Sequence, residues 1–276
     1  TSIDLSPLSG MTGVTDLSSL LSGCYGLTSI DLSPLSGMTG VTNLYSLLSG
    51  CNGLTYIDLS PLSGMTGVTS LSSLLSGCSK LTSIDLSPLS GMTGVTDLSF
   101  LFYNHKTLRT IDLSPLSNLT KVTDISYLFR GCTELTSIDL SPLLTMINVN
   151  RISGILYGCS KLERVIGEEF ETFTKVSTAE TMFYGCRLIT KVNLPIPFPS
   201  LTYNAYTDCK SLKYIKSRKI IPHSISNDVF NNTNNCPIYV PDEALDAYKT
   251  ATNWTAIADR IKPMSQFAID FPNEEV

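Results

Sequence analysis

Residues 27–53, LTSIDLSPLSGMTGVTNLYSLLSGCNG, return almost unchanged as residues 54–80. The two copies differ only at Ser29/Tyr56, Asn43/Ser70, Tyr45/Ser72, Asn52/Ser79 and Gly53/Lys80. A fixed period of 27 residues constrains the fold more than any local motif, because it is the mark of a solenoid whose turns stack on one another. Turns in this register begin at Thr1, Leu27, Leu54, Leu81, Leu108, Leu135 and Leu162, and two shorter, divergent ones begin near Ile189 and Leu212. With one strand spacing of ~4.8 Å per turn, the rod is roughly 40 Å long.

Each turn reads as the same series of pieces. In residues 27–32 the alternation of Ile30 and Leu32 with Ser29 and Asp31 is that of a strand with one face buried. Pro34 stops the ladder, because it has no N–H to donate. Gly37 and Gly40 mark a corner. Residues 41–44 form a second, shorter extended piece, and residues 45–50 read as one to two turns of helix or 3₁₀ closed by Gly50. No turn can bury its Leu, Ile and Val set alone, so stacking must supply the core.

The expected domain is a solenoid over residues 1–237, regular through 161 and divergent from 162 to 237. Residues 238–267 differ in kind and read as a small helical cap. Asp242 N-caps a helix through Ala251 in this reading, a second helix runs from Ala256 to Lys262, and the single tryptophan, Trp254, lies between them. Residues 268–276 read as a tail. The chain opens at Thr1 in mid-repeat, so a preceding part, including a targeting segment, is expected. An uncapped first turn also invites end-to-end self-association.

Charge is distributed unevenly. Residues 1–100 carry one Lys and six Asp, whereas the remainder carries eighteen basic and eighteen acidic residues. So few cations argue against a nucleic-acid groove in the first half. No run of 18 apolar residues encodes a membrane span. With only His105 and His223, and no Gly-x-Ser-x-Gly, His-Glu-x-x-His or phosphate-loop pattern, no catalytic residues, metal or cofactor are expected.

The Leu-Thr-Ser-Ile-Asp-Leu strand, the Val-Thr-Asp-Leu piece and Met-Phe-Tyr-Gly-Cys at 182–186 resemble the BspA-like leucine-rich-repeat surface proteins of Bacteroidetes. The closing pattern from Ile238 to Pro263 is similar to endings common among such proteins. The resemblance implies an α/β leucine-rich-repeat solenoid: a right-handed array of 23–27-residue turns with a parallel β-sheet on one face and short helical or 3₁₀ segments opposite. It further implies a secreted or cell-surface, non-catalytic binding or adhesion role, with a protein or glycan on host or neighbouring cells as partner. The first turns depart from the family in carrying Leu-Leu-Ser-Gly-Cys, which leaves a smoother surface.

Several columns are candidates for binding. Asp31, Asp58, Asp85, Asp112 and Asp139 continue Asp4 up the strand face at one position per turn. Like charges at one strand spacing repel, so either hydrogen bonding to nearby serines and solvation, or a bound cation, must compensate. Tyr56 stands on the same face, where an exposed aromatic can anchor a ligand. Later turns place Arg164, Lys191, Tyr214 and Lys216 in the Ser29 and Asp31 columns, so the face runs from acidic to basic. The eight cysteines recur mostly in register, which points to buried free thiols filling a corner, since stacked Cβ vectors point alike. His105 replaces Cys in one turn and reads as a structural irregularity. The leading expectation is a binding or adhesion module. The alternative is a spacer or stalk whose recognition site lies elsewhere, favoured over residues 1–107 by their uniformity.

Overall fold

A computed structural model describes residues 1–274. The chain is a stack of turns around one continuous core, built from columns such as Leu35, Leu62, Leu89, Leu116 and Leu143, all fully buried. Burying each such side chain is worth about 1.5–3 kcal/mol.

Every regular turn contains a short 3₁₀ segment that starts at Ser-Pro, as in Ser33–Leu35 and Ser60–Leu62. Proline is suited to the first helical positions, where its missing N–H has no partner to lose. Pro34 therefore opens a turn as well as ending the extended piece before it.

Residues 45–50 are not helical. Their amides alternate between two partners. Leu47 and Ser49 donate back to the carbonyls of Leu44 and Ser46, whereas Leu44, Ser46, Leu48 and Gly50 donate onward to Ser70, Ser72, Leu74 and Ser76 of the next turn. A helix would direct its amides back along its own segment, not across to the next turn. Here half of them join consecutive turns, and the left-handed φ of Ser46 (54°) and Gly50 (78°) keeps the chain turning.

Two further ladders run along the rod. One links the second extended pieces by parallel bridges, Asp16 to Asn43, Ser70, Asp97, Asp124 and Arg151 in succession. On the first-strand face, regular pairing begins late, with β1 (Ser137–Asp139) beside β2 (Arg164–Ile166). The divergent turns contribute β3 (Ala179–Glu180), β4 (Lys191–Asn193), β5 (Ser200–Thr202), β6 (Tyr214–Lys216), β7 (Ser224–Ile225) and β8 (Ile238–Val240). Strands β3, β5 and β7 extend the second ladder, while β4, β6 and β8 form a separate sheet on the first face.

The end of the array differs from the expected pair of helices. A 3₁₀ turn, Asp242–Ala244, leads into α1 (Leu245–Thr250). A 3₁₀ segment, Thr255–Arg260, then delivers β9 (Ile261–Pro263), which pairs with β8, and α2 (Met264–Asp270) follows. Asp242 does not cap the helix it precedes; its Oδ1 accepts the N–H of Ser265 in α2 at 2.8 Å. Trp254 closes the core. It is fully buried, and its Nε1 donates to the His223 carbonyl at 2.8 Å.

Candidate binding surface

The Asp column is exposed and locally satisfied. In Asp31, Asp58, Asp85, Asp112 and Asp139, Oδ1 accepts the N–H of the serine two residues on at 2.8–2.9 Å. This is the Asx turn that Asp forms before a change of direction. Hydrogen bonds from those serines hold the carboxyls of Asp31, Asp58 and Asp112 below the usual range. Among the described residues, no three His, Cys, Asp or Glu side chains gather as a metal site. Tyr56 projects from this face with 69% of its surface exposed.

Further along, the strand face is interrupted. No ladder joins β2 to β4, and a cleft of about 1030 Å³ opens between them. Its walls include Arg164, Ile166, Lys191 and Asn193, together with a loop over 167–171 that replaces the usual Ser-Pro turn. Gly167 makes this loop possible. Its φ is 79°, and a Cβ there would lie 3.0 Å from the Ser141 nitrogen. The loop supplies Glu168, whose Oε1 accepts Asn193 Nδ2 at 3.2 Å, and Glu169, which pairs with Arg218 at 3.4 Å. Burial raises the carboxyl pKa of both glutamates.

Arg164 and Lys191 both line the cleft with exposed side chains. Lys191 Nζ pairs with Glu274 at 2.7 Å, and the same Glu274 oxygen accepts the Tyr214 hydroxyl at 2.9 Å. Tyr214 and Lys216 are not on the open face. They are 3% and 6% exposed, because α2 and the residues after it lie across them. Phe267 packs edge-on against Tyr214 and Tyr239, and Phe271 packs on Tyr214. The Lys216 ammonium sits 3.8 Å from the Phe267 ring centre, and burial lowers its pKa.

The acidic-to-basic gradient therefore ends under a lid of aromatic side chains, and of the four later candidates Arg164 and Lys191 face the cleft. Glu168, Asn193, Phe267 and Phe271 escape a reading by columns. The signal for the first was Gly-Glu-Glu-Phe at 167–170, where earlier turns have Leu-Ser-Pro-Leu. The tail had no local signal.

Tyr157 and Tyr184, in the column before the Gly-Cys corner, stack on each other at 4.7 Å. Arg130 occupies the same column and lies 4.4 Å above the Tyr157 ring. These rings pack between neighbouring turns.

A comparison with curated proteins finds no match. Among solved structures the chain is similar to a leucine-rich repeat protein from Bacteroides ovatus, with 22% identity over 91% of this chain and 76% of that one and a TM-score of 0.37. It is also similar to a leucine rich cell surface protein from Faecalibacterium prausnitzii, with 17% identity over 90% and 80% and a TM-score of 0.36. The family model for the BspA type leucine rich repeat region matches residues 49–173 and 153–252, with six copies. The chain belongs to the BspA-type leucine-rich repeat proteins, a family of surface and protein-interaction modules that are generally non-catalytic.

Proposed function

We propose that the chain is a secreted or cell-surface adhesion module that recognises a host protein or glycan through the strand face of its solenoid. One observation supports this reading above others: the cleft at the break between β2 and β4. It is concave, it carries Arg164 and Lys191 beside exposed Ile166 and Leu188, and it lies next to strand surface that α2 covers. Recognition sites combine apolar surface with a few placed polar groups.

The test is an array of glycans and extracellular-matrix proteins probed with the intact chain and with Arg164→Glu and Lys191→Glu. A tenfold or greater change in binding on either reversal supports the cleft. Loss instead on Tyr56→Ser or Asp58→Ser moves recognition to the regular turns, with Asp31, Asp85, Asp112 and Asp139 as its further members.

A second reading is favoured by the near-identity of residues 27–53 and 54–80. In it these turns act as a spacer that sets reach, and their repeated surface carries no recognition. Full binding after simultaneous substitution of Tyr56 and Asp58 agrees with this reading.

A further inference from the structure

In a parallel ladder, alternate residues direct their backbone groups to opposite sides. The Ile166 carbonyl accepts Leu140 N at 2.9 Å on the β1 side, so the N–H and carbonyl of Val165 point away from β1, toward the cleft. On the far wall, Leu194 N donates to Lys216 O at 2.8 Å, and Lys213 N donates to Thr190 O at 2.7 Å. That register turns the backbone groups of Lys191 and Asn193 toward the same cleft. Two strand edges therefore face each other across a gap.

The protein partly compensates for what is missing there. The Glu168 carboxylate takes Asn193 Nδ2, and the Asn193 backbone N–H also favours its ionised form. A carboxylate thus stands where a neighbouring strand would present a carbonyl. Val165 is half open, although Ile138 and Val192, its counterparts on either side, are buried. An unpaired strand edge is a template for an extended chain, whose main-chain bonds give affinity and whose alternate side chains give specificity.

We infer that the occupant of this cleft is an extended segment of the partner protein, laid between β2 and β4 as a guest strand. This rests on reading the chain as a binding module. The segment alternates apolar and basic residues. Its apolar side chains cover Val165 on the core side. Its basic ones meet the cleft's excess of carboxylates: with Glu169 paired to Arg218 and Lys191 to Glu274, Glu163, Glu168 and Glu171 stand against Arg164. A volume of about 1030 Å³ is at the upper end for small-ligand pockets and accommodates a few residues of extended chain.

The experiment measures fluorescence anisotropy of the full chain with three labelled octapeptides: TKVKTKVK, its acidic counterpart TEVETEVE, and TKVKTKVK N-methylated at both valines. The basic peptide is expected to bind, the acidic one not to, and N-methylation to weaken binding at least tenfold. Glu163→Gln combined with Glu171→Gln should weaken the basic peptide and flatten its salt dependence. Val165→Pro, which removes the cleft-facing N–H but leaves the β1-side backbone groups of Arg164 and Ile166, should weaken it as well. Equal binding of the N-methylated peptide overturns strand pairing, equal binding of the acidic peptide overturns the charge argument, and no binding of the basic peptide overturns both. If the chain binds matrix proteins or glycans on the array but no octapeptide, the guest strand is wrong and the adhesion reading stands. If it binds neither, both fall.

Discussion

His105 Nε2 lies 2.8 Å from the Leu75 carbonyl oxygen, thirty residues earlier in the chain. Cys51, Cys78, Cys132, Cys159 and Cys186 each point Sγ at a carbonyl at the same separation, from Leu21 O to Leu156 O, at 3.1–3.3 Å. The imidazole therefore performs the task of the thiol it replaces. Its Nδ1 is buried with no partner among the described residues, so the ring is neutral with its proton on Nε2.

Burial pushes the pKa of His105, and of the similarly buried His223, down to about 4. Unfolded, both protonate near pH 6.5. Between those values the unfolded chain binds more protons, so stability is complete above about pH 6.5 and falls as the pH drops toward 4. Each ring contributes up to about 3 kcal/mol to this dependence. Urea unfolding at pH 7.5, 5.5 and 4 should show the decline. His105→Cys should fold and remove about half of it. An unchanged slope would mean that the ring is solvated.

The cysteine thiols should be inert. Burial raises Cys51 to about 11 and Cys78 and Cys132 to about 12, and the thiolate is the reactive form. All eight are free, and only Cys24 is partly exposed. Iodoacetamide at pH 7.5 should label Cys24 first, and the others only after denaturation. Intact-mass spectrometry reads the count directly, and early multiple labelling would contradict the packing.

The stacking is legible in the sequence because one turn dictates the next: a column repeated every 27 residues can only be an axis. The pairing of Asp31 with Ser33 is equally local. The segment at 45–50 misleads because its spacing fits a helix. What excludes a helix is that alternate amides bond to the following turn, and no local pattern encodes that choice. Tyr214 and Lys216 fall in the right columns for an open strand face, yet Phe267 and Phe271 cover them from about fifty residues away. Lys191 and Glu274 are separated by 83 residues, and contacts at that range leave no periodic trace.

Phe267 is the keystone of that cover, fully buried between Tyr214, Tyr239 and the Lys216 ammonium. Phe267→Ala should cost about 3–5 kcal/mol locally. In a repeat array each turn depends mainly on its neighbours. Hydrogen exchange should therefore accelerate at β6 and β8 while the turns before residue 108 keep their protection. A uniform loss along the whole rod would refute that independence.

Glu168 offers a test of sign. Burial raises its carboxyl pKa, so the folded protein takes up a proton more readily than the unfolded chain near the carboxylate range. Its charged form at neutral pH is then a cost that acidification relieves, opposite to the histidines. Glu168→Gln removes that charge but retains an oxygen for Asn193 Nδ2, and should equal or exceed the parent's stability at pH 7. Glu168→Leu leaves the Asn193 donors without an acceptor and should cost about 1–3 kcal/mol. Thermal unfolding of both variants at pH 7 should order them Gln, parent, Leu. If Leu is no worse than Gln, the carboxylate is not filling the place of the absent strand.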